Sequence, residues 1–382
     1  MLDLRGTMKI LSVTIIPPSE NAEWWRIINI ANGLKSRGAE VDIVHYIIKG
    51  FYAHEIMKGK IYNNYENSIK IASPITILFE HLINLYHKKY DVVYGNTFGG
   101  AFFSILGKLS GIPLILDMHG IYEEFLIIDS KPAKLNLFLM KFMESTSLYF
   151  SDKVICVSRG MINYLHKEKE IPLKKLVYAA NGVDLDFFKL SDLETIQKLK
   201  VSLGIENVLI FGYIGGFQNY QGVDNFIKAA RKIDSDKIKF LVVGGDSESR
   251  ENNIIFIPKI AREQIPDYYS LCDVLVLPRP HHVATEVAAP TKFAEYCSMG
   301  KPVLTTDVGD AADLVRIYKN GIVIEDNSPE NLKKGVLKFS ELDSLTFLEM
   351  GVNSRKLAEK EFDWKTISSN LVNNLSDFVY RK

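Results

Sequence analysis

The sequence predicts an α/β protein made of two doubly wound domains in tandem, and three observations predict it. Short apolar runs rich in Ile and Val alternate with longer stretches of helical period, the pattern of parallel strands buried on both faces by helices. The alternation runs through the chain twice, with a lapse between. A length of 382 residues exceeds one ordinary core and suits two of about 150–200 residues each.

In chain order, the first series of strands is read at Met8–Ile16, Glu40–Tyr46, Asp91–Gly95, Pro113–Met118, Lys153–Val157 and Lys175–Tyr178. Asn181-Gly182 is a turn signal, and from Asp184 to Lys200 few apolar residues recur at any fixed period, so this polar segment is the expected linker. The second series is read at Val208–Ile214, Ile238–Gly244, Asn253–Pro258, Asp273–Pro278, Pro302–Thr306 and Gly321–Ile324. The expected organisation is a first Rossmann-like domain over 1–184, a linker over 185–200, a second Rossmann-like domain over 201–360 and a closing helix over 361–382. The architecture repeats without an evident repeat in the sequence.

Ligands of open parallel sheets bind beyond the carboxyl ends of the strands, where strand order reverses, so two such sheets are expected to face a shared cleft. The segments that follow strand ends are therefore the ones to search for function: 17–25, 96–100, 119–124, 215–222, 244–246 and 279–291.

Composition narrows the class. Hydrophobic residues at 47%, charged residues at 24% and 13 prolines exclude a disordered or collagen-like chain. Lys plus Arg and Asp plus Glu both number 46, so no net field draws in DNA or RNA, and nucleic acid is not an expected partner. Cys156, Cys272 and Cys297 each lie in an apolar stretch without CxxC spacing, which fits a reducing cytosol and predicts no metal site. The apolar run Ile10–Ile16 is too short for a signal peptide core and reads as a strand. Leu135–Phe150, the nearest thing to a membrane span, contains Lys141 and Glu144, so the expectation is a cytoplasmic protein that does not cross a bilayer.

The strongest chemical signal is the run from Pro290 to Pro302. Proline suits a first helical turn, and Gly300 followed by Pro302 is a stop signal, so a helix of about ten residues is expected. Its start follows a strand and a long loop, which offers the N–H groups around Pro290, Thr291 and Lys292 to an anion. Lys292 is informative, because a cation in the first turn opposes the helix dipole at roughly 0.3–1 kcal/mol unless something negative lies nearby. Glu295 lies one turn deeper on the same face, where a carboxylate accepts two hydrogen bonds from a ribose diol. A plain surface Lys/Glu pair has the same spacing.

Six segments in order carry a resemblance: Asp91–Asn96, Ile112–Gly120, Ser151–Ser158, Asn181–Asp184, Gln221–Asp224 and Pro290–Val303. Together they resemble the large retaining glycosyltransferase family four, with its GT-B fold of two Rossmann-like domains facing a cleft. The resemblance implies transfer of a hexose-type sugar from a nucleotide diphosphate sugar (UDP-, GDP- or ADP-linked) to an acceptor hydroxyl of a glycolipid or polysaccharide intermediate. It implies no metal ion and no further cofactor, and a last helix starting near Phe362-Asp363-Trp364 that crosses back to the first domain. It also gives His119, at the end of a strand, to the donor sugar.

Three departures stand out. The family's paired Arg and Lys, which grip the diphosphate, are here Tyr213 and Gln221. The deficit is expected to be met by Arg279, by Lys292 and by backbone near Gly215, Gly216 and Gly244, with Gln221 lining the same site. The family spaces two acidic residues eight apart, which puts the partner of Glu295 at Val287; Glu286, one residue off, is assigned to the sugar-facing side. The first loop, from Pro17 to Trp25, lacks a Gly-Gly pair and carries Trp24-Trp25, an apolar wall for an acceptor or the start of a buried helix. His281 and His282 share no helix face and lack further metal ligands.

The catalytic set read from the sequence is thus His119, Glu286, Arg279 and Lys292. The nucleotide-sugar set is Gly215, Gly216, Gln221, Gly244, Pro290, Thr291, Lys292 and Glu295. The stretch Lys131–Phe150 mixes lysines with Leu, Phe and Met and suits either a packed helix or one resting peripherally on the cytoplasmic face of a membrane. A non-catalytic nucleotide-sugar binder or partner subunit, motivated by Tyr213 and Gln221, and a GT-B sugar-nucleotide epimerase are the alternative readings.

Overall fold

The computed structural model describes residues 7–16, 22–47, 69–71, 90–127 and 134–380. Two compact units emerge: Met1–Tyr122, Pro132–Ala180 and Trp364–Lys382 form the first, and Glu123–Lys131 with Asn181–Asp363 the second.

Seven strands make the sheet of the first unit: β1 (Lys9–Thr14), β2 (Glu40–Ile47), β3 (Ile69–Ile71), β4 (Val92–Asn96), β5 (Leu114–Met118), β6 (Lys153–Cys156) and β7 (Leu176–Tyr178). Their order is β3-β2-β1-β4-β5-β6-β7, and every pairing is parallel. Helices cover the sheet, which is why Ile10, Val13, Val93, Leu114 and Val154 are all buried and the strands read as continuous apolar runs. The C-terminal helix Trp364–Tyr380 belongs to this unit and packs on the helix Ala22–Lys35.

The second unit repeats the plan with β8 (Leu209–Ile214), β9 (Ile238–Gly245), β10 (Ser249–Glu251), β11 (Ile254–Pro258), β12 (Val274–Leu277), β13 (Val303–Thr306) and β14 (Gly321–Ile324). The order is β10-β11-β9-β8-β12-β13-β14, parallel except for the antiparallel edge pair β10–β11. Aromatic rings, Phe211, Phe226, Phe240 and Phe339 among them, fill the core on one face.

The strand order reverses beside β1 and β4 in one sheet and beside β8 and β12 in the other, so chain leaving these pairs diverges and opens space at their carboxyl ends. That places residues 215–222 next to residues 278–291.

The strands read from the sequence match to within two residues, but β3 and β10 escaped it. Each has three residues and sits at a sheet edge, and β10 is the polar Ser-Arg-Glu. The polar segment after Asp184 contains a helix, Leu193–Leu203, begun by the Asp192 carboxylate accepting the Thr195 N–H (2.8 Å) and ended by Gly204 in the left-handed region. Its periodicity is weak because only Leu203 is buried. The helix expected from Pro290 is shorter than ten residues, Thr291–Ser298.

Five of the described non-glycine residues have positive φ, and Thr97 is the β-branched one. Thr97, the first residue of the helix Thr97–Phe103 after β4, has φ of 60°, unusual for a β-branched residue. The turn is possible because a side chain on Gly95 would overlap the Ala101 backbone and one on Gly100 the Val13 carbonyl. Thr97→Gly is expected to raise stability by about 1 kcal/mol, seen as a higher urea midpoint. An unchanged or lower midpoint would show that the conformation carries no strain.

Candidate active site

In the second unit, the residues that follow β8 and β12 converge on Lys292. The stem of this lysine rises from the first turn of Thr291–Ser298 and passes Gly215, where any side chain would overlap its Cε and Nζ; Gly215 also has φ of 148°. Nζ lies 3.3 Å from Gln221 Oε1 and 3.5 Å from Tyr213 Oη, and 5.2 Å from the Tyr213 ring centroid. Tyr213 Oη donates to the Gly216 carbonyl at 2.5 Å, pinning the loop, while burial pushes the phenol well up. Gly244 closes the floor, since a side chain there would overlap the Gly215 carbonyl.

Tyr213 and Gln221, the two neutral residues where cations were expected, therefore both face one cation delivered from a different element. Among the described residues no carboxylate forms an ion pair with Lys292. Burial pushes its ammonium down to about 8, with Glu295 opposing and Arg279 adding to the shift.

Arg279, just beyond β12, is a second cation in the same state. It is buried, its Nε has no hydrogen-bond partner among the described residues, and its guanidinium lies 5.9 Å from the Tyr220 ring centroid. Burial lowers its pKa against the pull of Glu124 and Glu286. Its carbonyl accepts from Thr306 Oγ1 (2.7 Å), which fixes the backbone there. Asn181 Nδ2 donates to the Ala289 carbonyl at 2.8 Å and so anchors the entry to Pro290 and Thr291, which stay partly exposed. Arg279, buried, and Lys292, half-buried with its ammonium desolvated, form no ion pair with a carboxylate among the described residues, and the Lys292 stem lies against Gly215 at the switch point, an arrangement suited to an anion.

Glu295 is held by Tyr269, whose hydroxyl donates to Oε2 at 2.7 Å; burial raises the carboxyl pKa, and Tyr269 and Lys292 oppose the rise. Glu286 is placed differently. Its Oε2 accepts the Gly309 N–H (2.8 Å) and its Oε1 faces His281 Nδ1 (2.8 Å), whose Nε2 faces the Glu325 carbonyl (3.0 Å). Both oxygens are engaged within the protein, so Glu286 latches the loop 279–287 to the helix Gly309–Tyr318. Facing two acceptors raises the His281 pKa. His282 Nδ1 accepts the Ala284 N–H (3.1 Å) and caps Val283–Val287, so the adjacent histidines share no ligand.

His119 lies in the first unit, just past β5. Its side chain is 5% exposed, Nε2 is 3.3 Å from Asp117 Oδ2, and neither ring nitrogen has a well-directed hydrogen bond among the described residues. Pro17–Asn21 and Lys131–Ala133 fall outside the described residues; of the two tryptophans, Trp24 is buried and Trp25 half-buried. The helix Lys134–Phe150 exposes Leu135, Phe138, Leu139 and Phe142, spaced at one helical face, together with Lys134 and Lys141, while its one acidic residue, Glu144, is buried. No described helix is long and apolar enough to cross a membrane.

Sequence reasoning missed Tyr220, Tyr269, Arg26 and Asp117. Only Asp117, an acidic residue inside a buried strand two residues before a histidine, offered a signal.

The depressed Lys292 carries a stability signature. Between pH 8 and 10.5 the unfolded chain binds the proton that the folded chain has lost, so stability due to this group rises with pH across that window. Lys292→Met is expected to melt higher than the parent at pH 7, with the gap closing toward pH 10.5. A gap independent of pH would show that the ammonium is not desolvated.

Comparison with known proteins identifies the family. Residues 25–187 match the model of Glycosyltransferase Family 4 and residues 195–356 that of Glycosyl transferases group 1. An uncharacterized glycosyltransferase of Methanocaldococcus jannaschii, MJ1069, is 25% identical over 306 residues, 74% of each chain. The capsular polysaccharide biosynthesis glycosyltransferase CapM of Staphylococcus aureus is 23% identical over 350 residues, 84% of this chain and 88% of its own. The crystal structure of Anabaena Alr3699/HepE in complex with UDP and glucose superposes with a TM-score of 0.72 at 18% identity, covering 97% of this chain and all of that one. With residues 25–187 matching one half and residues 195–356 the other, this chain belongs to the family-four glycosyltransferases, enzymes of GT-B fold that transfer sugar from a nucleotide sugar.

Proposed function

We propose that the protein moves a hexose-type sugar from a nucleotide diphosphate sugar to a hydroxyl of a glycolipid or polysaccharide intermediate, with retention at the anomeric carbon and without a metal ion. The observation that carries the reading is the pair of cations, Lys292 and Arg279, which form no ion pair with a carboxylate among the described residues, with the Lys292 stem lying against Gly215. Cleaving the sugar–phosphate bond leaves extra negative charge on the diphosphate, and only groups already in place where that charge develops lower the barrier. Lys292 meets the charge as a point donor, Arg279 as a planar fork, and backbone N–H groups near Thr291 complete the cradle. Glu295, steadied by Tyr269, has its second oxygen for a ribose hydroxyl. The family resemblance gives His119 to the donor sugar, while Glu286 serves by holding the loop that carries Arg279.

The UDP and glucose bound by HepE make UDP-glucose the first donor to try, and CapM's part in capsular polysaccharide synthesis supports a glycan acceptor. The exposed apolar face of Lys134–Phe150, flanked by lysines and free of exposed acids, supports a peripheral contact with an anionic membrane that presents a lipid-linked acceptor.

Calorimetry against UDP-, GDP- and ADP-sugars tests the core of the proposal. Donor affinity is expected to fall as pH rises through about 8, where the Lys292 ammonium loses its proton, and the fall should vanish in Lys292→Met. Glu295→Ala should weaken donor binding by roughly 1.5–3 kcal/mol, and Arg279→Ala should slow turnover about a hundredfold or more. Failure of the whole panel to bind would overturn the proposal. Separately, sedimentation with phosphatidylglycerol vesicles should pull down the parent, and Phe138→Ser/Phe142→Ser should stay in the supernatant; equal sedimentation would remove this helix from the membrane contact.

A further inference from the structure

At the carboxyl edge of the first sheet lies a charge network that the proposed function does not use. Asp117, on β5, is fully buried, and so is Arg26 of the helix Ala22–Lys35. Arg26 Nε lies 3.0 and 3.2 Å from the two carboxylate oxygens, its Nη2 donates to Oδ1 at 2.8 Å, and its Nη1 donates to the Ala180 carbonyl at 2.8 Å. Tyr94 Oη donates to Oδ2 at 2.9 Å. A buried ion pair that served only to hold helix to sheet would gain little over apolar residues of the same size, because desolvation offsets most of its attraction. This one has a further neighbour, since Oδ2 also lies 3.3 Å from His119 Nε2.

We infer that Asp117 is a positioning residue for His119, holding the ring with Nε2–H toward the carboxylate and leaving Nδ1 bare to accept a hydrogen bond from a sugar hydroxyl. The inference rests on the reading in which His119 meets the donor sugar. Arg26 and Tyr94 keep the carboxylate ionised, and Arg26 holds its pKa well below the usual range against desolvation. A permanent anion beside Nε2 requires a proton on that nitrogen, and a neutral imidazole then has its lone pair on Nδ1. His119 is buried with that nitrogen unpartnered among the described residues, the state of a group whose partner arrives with a ligand. The 3.3 Å separation, longer than a good hydrogen bond, is of the kind that tightens when substrate fills a site.

The experiment is nitrogen-15 NMR of the ring nitrogens in full-length, histidine-labelled protein, with the His119 signals assigned through His119→Gln among the eight histidines. At pH 8 the parent should show His119 as one neutral tautomer, protonated on Nε2. A proton on Nδ1 overturns the inference and needs no variant to establish. Arg26→Met/Asp117→Leu removes both charges together, so no buried ion is left unpaired; it should show mixed tautomers and lose on the order of a hundredfold in kcat while donor KM moves less than twofold. The parental tautomer and turnover in that variant would equally overturn the inference. Should the double variant fail to fold, Tyr94→Phe, which removes one donor to the carboxylate, is read by the same spectrum. Turnover is measured with the donor that calorimetry selects. Parental turnover in His119→Ala would instead refute the donor-sugar reading of His119, whatever the tautomer.

Discussion

An ammonium group that forms no ion pair with a carboxylate among the described residues sits where the second sheet reverses its strand order, and the surrounding structure is arranged to keep it there. The divergence of β8 from β12 opens the space, Gly215 yields the room a side chain would occupy, and Tyr213 and Gln221 supply only neutral neighbours. Desolvating a cation this way is unfavourable for folding. On the proposed function, the diphosphate of the donor relieves it.

In the same region, charge comes from elements other than those the family resemblance implies. The family resemblance placed two cations on the first loop of the second domain, and this protein has neither. A lysine stem is long enough to carry charge to that loop from a helix roughly seventy residues later, and Arg279 reaches the same floor from the neighbouring strand end. Glu286, expected to face the sugar, is taken up by Gly309 and His281, because the loop bearing Arg279 has to be tied down somewhere.

The first unit shares the order of six parallel strands with the second, adding β7 at one edge where the second adds β10 at the other, and carries a different inventory. Its carboxyl edge carries a strained Thr97 and a neutralised cluster of Arg26, Asp117 and Tyr94 behind His119, with no unpaired cation in the cluster. One topology thus serves two chemistries, since the fold supplies only the open edge and the loops supply the groups.

What the sequence by itself determined is the backbone plan. Strands buried on both faces leave continuous apolar runs that no neighbour can disguise, so twelve of the fourteen described strands, the helix after Pro290 and the segments lining the strand ends were legible. Lys292 stood out as well, because a cation in a first helical turn conflicts with local electrostatics. Only the tertiary structure decided which groups meet. Lys292 against Tyr213 and Gln221, Tyr269 on Glu295, and Arg26 on Asp117 are contacts between residues far apart in the chain. Short edge strands and long-range polar partners leave no period in the sequence, since what selects them is a neighbour that exists only after the chain has folded.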